Sequence, residues 1–308
     1  ALNYKIEDFA SFNDKVKFDV KIKSASIATN DIRHFYKELE VNQHFYINRA
    51  DVKGTLNDLY VNRLRLVDSR KSRIEGSINF KNIFGKENQR FYMDGDFSQI
   101  NSSYDDLVIM LPNVLGKKLP VELKTLGNFW MEGSTQLTAT AIDAVLNIKS
   151  EIGRVQSVFS MTNIDFIDKA AYTGNVVFED FDVATFLNRT DLGKVSMDIN
   201  VVGKGFTEKY LNTQLKGVIS KIDYNSYTYH NVTVNGTFKL PYYKGQISVL
   251  DPNLEMDFDG LVDLSARENK YDFHINVDHA DLSKLKFVKD SVSNFKGDVV
   301  VQLTGNTI

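Results

Sequence analysis

The chain lacks the residues that build disulfides and thiolate sites, and it lacks long hydrophobic runs. Its 308 residues contain no cysteine and only four prolines. Without cysteine there can be no disulfide, no thiolate metal site and no cysteine nucleophile. The longest uncharged apolar run, residues 107–116, is too short to cross a bilayer and contains Pro112. No signal peptide is visible.

The chain also lacks an excess of charge of either sign. Thirty-seven basic residues stand against forty acidic ones, for a formal net charge of −3. This balance argues against a surface that wraps nucleic acid. The first residue is Ala1, and residues 303–305 are still strand-like. We therefore expect the sequence to be an excerpt of a longer protein.

A hairpin followed by a short helix is the pattern that most of the chain repeats. In residues 251–287, Phe258, Gly260, Val262 and Leu264 alternate with polar residues, which predicts a strand with one apolar face. After a polar break the alternation returns with Phe273, Ile275 and Val277. Asp281 then offers a helix cap ahead of Leu282 and Leu285 at helical spacing.

Glycine recurs in the same phase as the apolar residues of these strands. The in-phase glycines are Gly54, Gly76, Gly95, Gly133, Gly174, Gly236, Gly260 and Gly297. A mid-strand glycine costs roughly 0.5–1 kcal/mol relative to alanine, so its repetition calls for a reason. One reason is that missing side chains let a wide sheet curl or let another group approach its backbone. The alternative is a set of bends in an ordinary sandwich.

Short capped helices recur as well, at residues 29–35, 106–111, 182–187 and 281–285. Together with the hairpins they indicate an internal repeat. We predict an all-β fold: an elongated, curled antiparallel sheet, a taco-like groove of repeated hairpins with a few short interrupting helices. Residues 1–308 are predicted to form one continuous segment with repeat blocks 1–100, 101–190 and 191–308.

The interior of such a groove would be apolar and would suit acyl chains. Hydrocarbon needs buried apolar area, worth roughly 0.8 kcal/mol per methylene, and no directional partner. The predicted lining residues are Phe91, Met93, Phe97, Phe129, Met131, Val176, Phe178, Met197, Ile199, Val234, Phe238, Phe258, Val262, Leu264, Phe273, Ile275 and Val277.

The residues that could bind a metal, a phosphate or a headgroup, or act as an acid–base pair, are each better explained by a structural role. His34, His44, His230, His274 and His279 are scattered, and metal ligation is not predicted for any of them. The acids at 179, 180 and 182 precede a short helix and fit caps better than an acid–base pair. Residues 203–207 lack the spacing of a phosphate loop and fit a strand turn. The basic residues between 63 and 73 fit a solvated hairpin face better than a site for lipid headgroups. No catalytic residue, cofactor or metal is predicted.

Several of these segments resemble one protein family. Residues 172–182, 191–195, 203–207, 222–232 and 251–285 look like the periplasmic portion of TamB-type proteins from Bacteroidota. TamB is the translocation and assembly module subunit, related to the AsmA-like family. The resemblance covers most of residues 29–300 and is most specific in residues 172–287. The motifs that carry it are structural.

The resemblance implies a β-groove in the periplasm that reaches from an inner-membrane anchor toward the outer membrane. It implies a partner of the BamA superfamily and two roles, which are conducting phospholipid between membranes and assisting outer-membrane protein insertion. The anchor and the partner-binding domain of the family are not recognisable in these residues.

Three functions therefore stay open at the level of sequence. The first is a bridge-like lipid-transfer segment, and the second is a scaffold whose strand edges template outer-membrane strands. The third is an adhesin or carbohydrate-binding protein, suggested by Trp130, which is out of phase with its neighbours, and by the tyrosines at 224, 227 and 229. An enzyme is not predicted, because no nucleophile, metal cluster or cofactor loop is evident.

Overall fold

The protein consists of two compact units, Ala1–Glu151 and Ile152–Ile308, called here the N-terminal and C-terminal units. The structure is a computed structural model. It describes residues 2–33, 42–83, 91–110, 121–207, 209–264, 268–289 and 291–305.

The N-terminal unit is an antiparallel sheet. Its strands are β1 (Leu2–Asn3), β2 (Lys17–Ile22), β3 (Ala25–Ala28), β4 (His44–Thr55), β5 (Asp58–Asp68), β6 (Arg73–Lys81), β7 (Tyr92–Ser103), β8 (Asn128–Thr138) and β9 (Ala141–Ser150). From β4 to β9 each strand pairs with the next, while β2 and β3 both pair with β4. Its α-helices are α1 (Phe12–Lys15), α2 (Thr29–Ile32) and α3 (Tyr104–Met110), with 3₁₀ helices at Ile6–Ser11 and Val121–Leu126.

The C-terminal unit is a nine-strand meander in which every strand pairs with its sequence neighbour. Its strands are β10 (Gly153–Thr162), β11 (Ala171–Asp182), β12 (Leu192–Lys204), β13 (Asn212–Tyr224), β14 (Tyr227–Lys239), β15 (Tyr242–Asp251), β16 (Leu254–Asp263), β17 (Lys270–Asp281) and β18 (Asn294–Thr304). One α-helix, α4 (Val183–Leu187), and a 3₁₀ helix at Ile167–Lys169 lie in its connections.

The strands form where the sequence alternates. In β17, Tyr271, Phe273, Ile275 and Val277 are buried or half-buried, and the polar residues between them are exposed. Alternation of this kind places one apolar and one polar face on an antiparallel sheet. The prediction of an all-β fold, with an open antiparallel sheet of hairpins and a few short helices, is confirmed.

Among the described residues α2, α3 and α4 lie at three of the predicted helical inserts, and the fourth is not a helix; residues 34, 35 and 111 of the predicted inserts lie outside the described residues. Asp182 caps α4 by accepting hydrogen bonds from the Thr185 backbone N–H (3.0 Å) and hydroxyl (2.7 Å), and Asn188 ends the helix in the left-handed region. After Asp281 the chain forms a hydrogen-bonded turn and not a helix. Leu285 N–H donates to the Asp281 carbonyl (2.9 Å), but Lys286 already has a positive φ of 65°, which ends the turn.

Candidate functional site

The apolar face of the C-terminal unit is the candidate site, and it is built from rows of side chains that cross the strands. The register aligns Val176, Ile199, Gly217, Val234, Ile247, Phe258, Ile275 and Val299, called here the central row. Every position of this row is apolar from β11 to β18. Because neighbouring strands lie about 4.8 Å apart, the row is an apolar strip roughly 34 Å long.

Two further apolar rows lie on this face. The covered row consists of Phe178, Met197, Ile219, Val232, Val249, Met256, Val277 and Gly297. The far row consists of Tyr172, Gly203, Thr213, Phe238, Tyr243, Val262, Tyr271 and Leu303. The predicted lining residues of this unit therefore share one face, apart from Leu264, which follows the last residue of β16 and is 41% exposed.

Short connections cover one end of this face. The turn after β17 inserts Leu282 and Leu285 against Val249, Val277 and Met256 of the covered row. Near α4, the ring of Phe181 stacks on Phe178 with centroids 4.4 Å apart. Phe181 and Leu285 are consequently 1% and 2% exposed. We call this the covered end.

Away from the covered end, large apolar side chains keep contact with solvent. Phe258, Val262 and Phe273 are only half-buried, as is Ile275 where it borders the buried cluster of the covered end, and Val299 is 37% exposed. Side chains of this kind normally lose more of their surface in a globular core. Elsewhere in the central row Ile199 and Val234 are only 3% and 8% exposed, so the accessible apolar surface lies on β15 to β18, and we call this surface the open part.

Four glycines of the C-terminal unit lie in one row between the central and far rows, called here the glycine row. The glycine row contains Gly174, Val201, Leu215, Gly236, Gly245, Gly260, Phe273 and Val301. Gly236, Gly245 and Gly260 are direct neighbours on three adjacent strands. Gly297 belongs to the covered row and not to this one.

Gly133 and Gly260 are two of the glycines at which neighbouring backbone leaves no room for a side chain. Gly133 has φ 139°, and a Cβ there would lie 1.9 Å from the Val145 carbonyl oxygen. Gly260 has φ 151°, and its Cβ would lie 2.4 Å from Phe273 Cα. At these two positions the neighbouring backbone occupies the space, as the curvature explanation of glycine expects.

At other glycines an aromatic ring takes the place of the missing side chain. A Cβ on Gly236 would lie 2.7 Å from the Tyr243 hydroxyl, and a Cβ on Gly95 would lie 2.5 Å from the Phe97 ring. Burial raises the pKa of Tyr243 to about 12. Rings from the two flanking rows also meet across the glycine row, since Tyr243 and Phe258 have centroids 6.0 Å apart.

The predicted residues of the N-terminal unit also lie together, but in a more closed cluster. Met93 pairs with Leu137, Phe97 pairs with Gly133 and Gly76, and Met131 pairs with Ile100. Met93 and Phe97 are buried, Phe129 and Met131 pack on a core with Met110, and Phe91 precedes β7. Gly54 and Gly95 lie in two further rows, opposite Leu59 and Ile78.

The sequence analysis missed several residues of the face, although the signal was present. Tyr243, Gly245, Ile247 and Val249 alternate in the same phase as the predicted strands and were not among the predicted lining or glycine sets. Ile219, Val232, Met256 and Tyr271 were likewise absent from those sets. The motif of an apolar residue two positions from glycine would have found β15.

Two clefts lie on the opposite, polar face of the same unit. The larger, of about 720 Å³, is lined by Lys216, Asn235, Gln246, Asp259 and His274 on one side and by Val218, Thr233, Ser248, Asp257 and Asn276 on the other. The backbone of the central row forms its floor. The smaller, of about 390 Å³, adjoins it at Val218. The apolar face is thus an open surface, and these clefts lie behind it.

Several polar side chains of these clefts bond to side chains on neighbouring strands. Gln246 donates to Asp259 (3.2 Å), and His274 bonds Asp298. Arg154 donates to Glu179 (3.0 Å) in the smaller cleft. Such cross-strand pairs are typical of a solvated sheet face.

A buried aspartate organises the turns of the covered end. Asp251 accepts hydrogen bonds from the Tyr227 hydroxyl, from Asn253 N–H (2.8 Å) and from His230 N–H (3.0 Å). Burial alone would raise the pKa of Asp251, but these hydrogen bonds outweigh it and hold the pKa below its usual value. Tyr227 and Tyr229 pack into the same buried cluster, so they do not form an exposed aromatic patch.

The other candidate groups have structural partners. Arg63 pairs with Asp51, Arg65 with Glu75 (3.5 Å) and Arg70 with Asp106 (3.3 Å). Lys221 lies 3.6 Å from Asp180. His34 lies outside the described residues. Within the described ranges no group of three or more His, Cys, Asp or Glu side chains could hold a metal ion.

Comparison with protein-family models, curated proteins and solved structures found no match to this chain. Among the described residues, no helix is both long enough and apolar enough to cross a membrane. The resemblance to TamB-type proteins stays a prediction.

Proposed function

We propose that the open part of the C-terminal unit binds phospholipid acyl chains and that the protein acts as a bridge-like lipid-transfer segment. The central row carries the proposal, because it is apolar at every strand from β11 to β18 while several of its residues stay accessible. An acyl chain laid along it would bury methylenes at roughly 0.8 kcal/mol each. A strip without fixed polar groups holds the chain at no single position, which permits movement along it.

The cellular setting of this proposal rests on the resemblance to TamB-type proteins alone. In that setting the segment would lie in the periplasm, within an inner-membrane-anchored protein that has a BamA-superfamily partner. Phospholipid would then pass along the apolar face between the two membranes.

Replacement of Ile275 by arginine tests the proposal. Ile275 lies in the central row, and its neighbour Asn276 lies on the polar face of the same strand. We expect Ile275→Arg to remove most of the phospholipid that copurifies with the chain, measured by mass spectrometry. Asn276→Arg, the matched control, should keep it. Both variants must give the wild-type circular dichroism spectrum, and equal lipid content in the two folded variants would refute the proposal.

A second function, assisting outer-membrane protein assembly, is favoured by one observation. β18 pairs with β17, and its hydrophobic residues are exposed on both faces, with Val300 72% and Val299 37% exposed. Exposed hydrophobic strands of this kind are templates for pairing with another strand. A photocrosslinker at Val300 should then capture an unfolded outer-membrane protein, whereas one at Ile275 should capture lipid.

A further inference from the structure

The three adjacent glycines of the C-terminal unit form a bare patch on the apolar face. Gly236, Gly245 and Gly260 pair directly with one another on β14, β15 and β16. They leave a floor of backbone that spans roughly 10 Å across three strands. Half-buried apolar side chains of the central row and of the far row flank this floor on either side. This is the one place in the glycine row where three neighbouring positions lack side chains.

Tyr243 lies over this floor. Its ring and hydroxyl share the space where a Gly236 side chain would be with the Lys244 carbonyl oxygen, all 2.7–2.8 Å from an ideal Cβ. The hydroxyl donates one hydrogen bond, to the Gln246 carbonyl oxygen (2.9 Å). A single neutral hydrogen bond of this kind is readily exchanged for one to water. The ring is therefore held mainly by apolar contact, which another apolar group can replace.

Tyr172 provides a contrasting case on the same face. Its ring covers Gly203 at a similar distance of 2.8 Å. However, its hydroxyl bonds Thr213, and its ring packs on Phe206 with centroids 4.6 Å apart. The register neighbours of Gly203 are Tyr172 itself and Thr213, so removal of this ring would expose the width of one residue.

We propose that Gly236, Gly245 and Gly260 form a subsite for one phospholipid acyl chain and that Tyr243 is its displaceable cover. This inference rests on the proposed lipid-binding function and specifies where a chain is held. The occupant is hydrocarbon, because the floor offers only backbone groups already paired in the sheet and its walls are apolar. When the chain enters, the ring swings toward solvent and its hydroxyl bonds water.

Equilibrium binding of a phosphatidylcholine with a fluorophore on one acyl chain tests the proposal. Tyr243→Ala is expected to tighten binding, by roughly 4-fold for each additional methylene that the freed floor buries. Gly236→Val should fill the floor and weaken binding by a similar factor, and it is compared only if its circular dichroism spectrum is that of the wild type, because its Cβ also approaches the Lys244 carbonyl oxygen. Tyr242→Ala, which removes a tyrosine from the opposite face of the same strand, is the matched control and should bind as the wild type does. Unchanged or weaker binding by Tyr243→Ala, or equal tightening by both alanine variants, would overturn the proposal.

If Tyr243→Ala does not fold, a tryptophan at position 243 tests the subsite instead, because it keeps an aromatic ring there. In a Trp130→Phe background, Tyr243→Trp and Tyr172→Trp each carry a single tryptophan. Phosphatidylcholine brominated along its acyl chains should quench Tyr243→Trp far more strongly than Tyr172→Trp. Equal quenching would overturn the subsite. If Ile275→Arg abolishes binding while the Tyr243 variants have no effect, the subsite proposal is refuted and the lipid-binding function stands. If the wild type binds no phospholipid, both proposals are refuted.

Discussion

The covered end and the open part of the C-terminal unit have the same sequence pattern but different packing. Both consist of alternating strands with one apolar face. At the covered end, Phe181, Val277 and Leu285 are almost completely buried, whereas Phe258 and Phe273 of the open part are half-buried. The difference comes from the connections, because inserts between strands supply a second layer at one end and not along the rest of the face.

The difference in packing predicts different roles for the two regions, folding stability for the covered end and lipid binding for the open part. A residue buried by an insert contributes its full transfer free energy to folding, while a half-exposed residue retains surface that a ligand can cover. We therefore expect substitutions at the covered end to act mainly on stability. Substitutions in the open part should act mainly on lipid binding.

The largest expected effect compares two phenylalanines. Phe181→Ala should lower the free energy of unfolding by about 3–5 kcal/mol, the usual cost of emptying a buried phenylalanine site. Phe258→Ala should cost roughly 1–2 kcal/mol, because part of its ring is already in contact with water. Urea unfolding followed by circular dichroism gives both values. Similar losses for the two variants would mean that the open part is packed as a core.

The strands and the side chains that share a face could be predicted from the sequence. The row of adjacent glycines and the exposure of the apolar face could not. Alternation in residues 254–263 and 270–281 gives strand, face and phase, since the period of two is a local property. The row that joins Gly236, Gly245 and Gly260 depends on register, which is set by turn lengths and bulges between strands. β14, β15 and β16 pair without a register shift, whereas a bulge between Glu255 and Met256 shifts the pairing of β16 with β17, and the sequence does not mark which pairs carry such a shift. Exposure of Ile275 depends on which connections fold back over the face.

The next effect compares two aspartates that begin corresponding turns. Asp251 at the covered end uses both carboxylate oxygens, Oδ1 for Tyr227 and Asn253 and Oδ2 for His230. Asp68 of the N-terminal unit accepts from Arg70 and Ser72 through Oδ1 alone. Asp251→Asn should cost about 1–3 kcal/mol, because its new amide group meets N–H donors. Asp68→Asn keeps the needed oxygen and should change stability by less than about 0.5 kcal/mol.

The pH dependence of these variants has a definite sign. Hydrogen bonds hold the pKa of Asp251 in the folded protein below its unfolded value. The ionised carboxylate therefore stabilises the fold above about pH 4, and this stabilisation is lost as pH falls through the folded pKa. The deficit of Asp251→Asn should therefore shrink in acid. Burial raises the pKa of Asp68, and the nearby Asp106 adds to the shift, so its ionised form is disfavoured in the fold. Unfolding curves between pH 3 and pH 7 should show a shrinking deficit for Asp251→Asn alone.

The smallest expected effect compares two glycines that the sequence pattern treats as equivalent. Gly260, in the open part, has φ 151° and would place a Cβ against the Phe273 backbone, so Gly260→Ala should cost roughly 1–3 kcal/mol. A Cβ at Gly297 would meet only the end of the Phe295 ring, at 2.9 Å, and that exposed ring can move. Gly297→Ala should therefore be neutral or stabilise by up to about 1 kcal/mol through the unfolded state. Equal losses in thermal unfolding would show that the Gly297 backbone is as constrained as that of Gly260, whereas opposite signs would show that the requirement for glycine at position 260 does not extend to position 297.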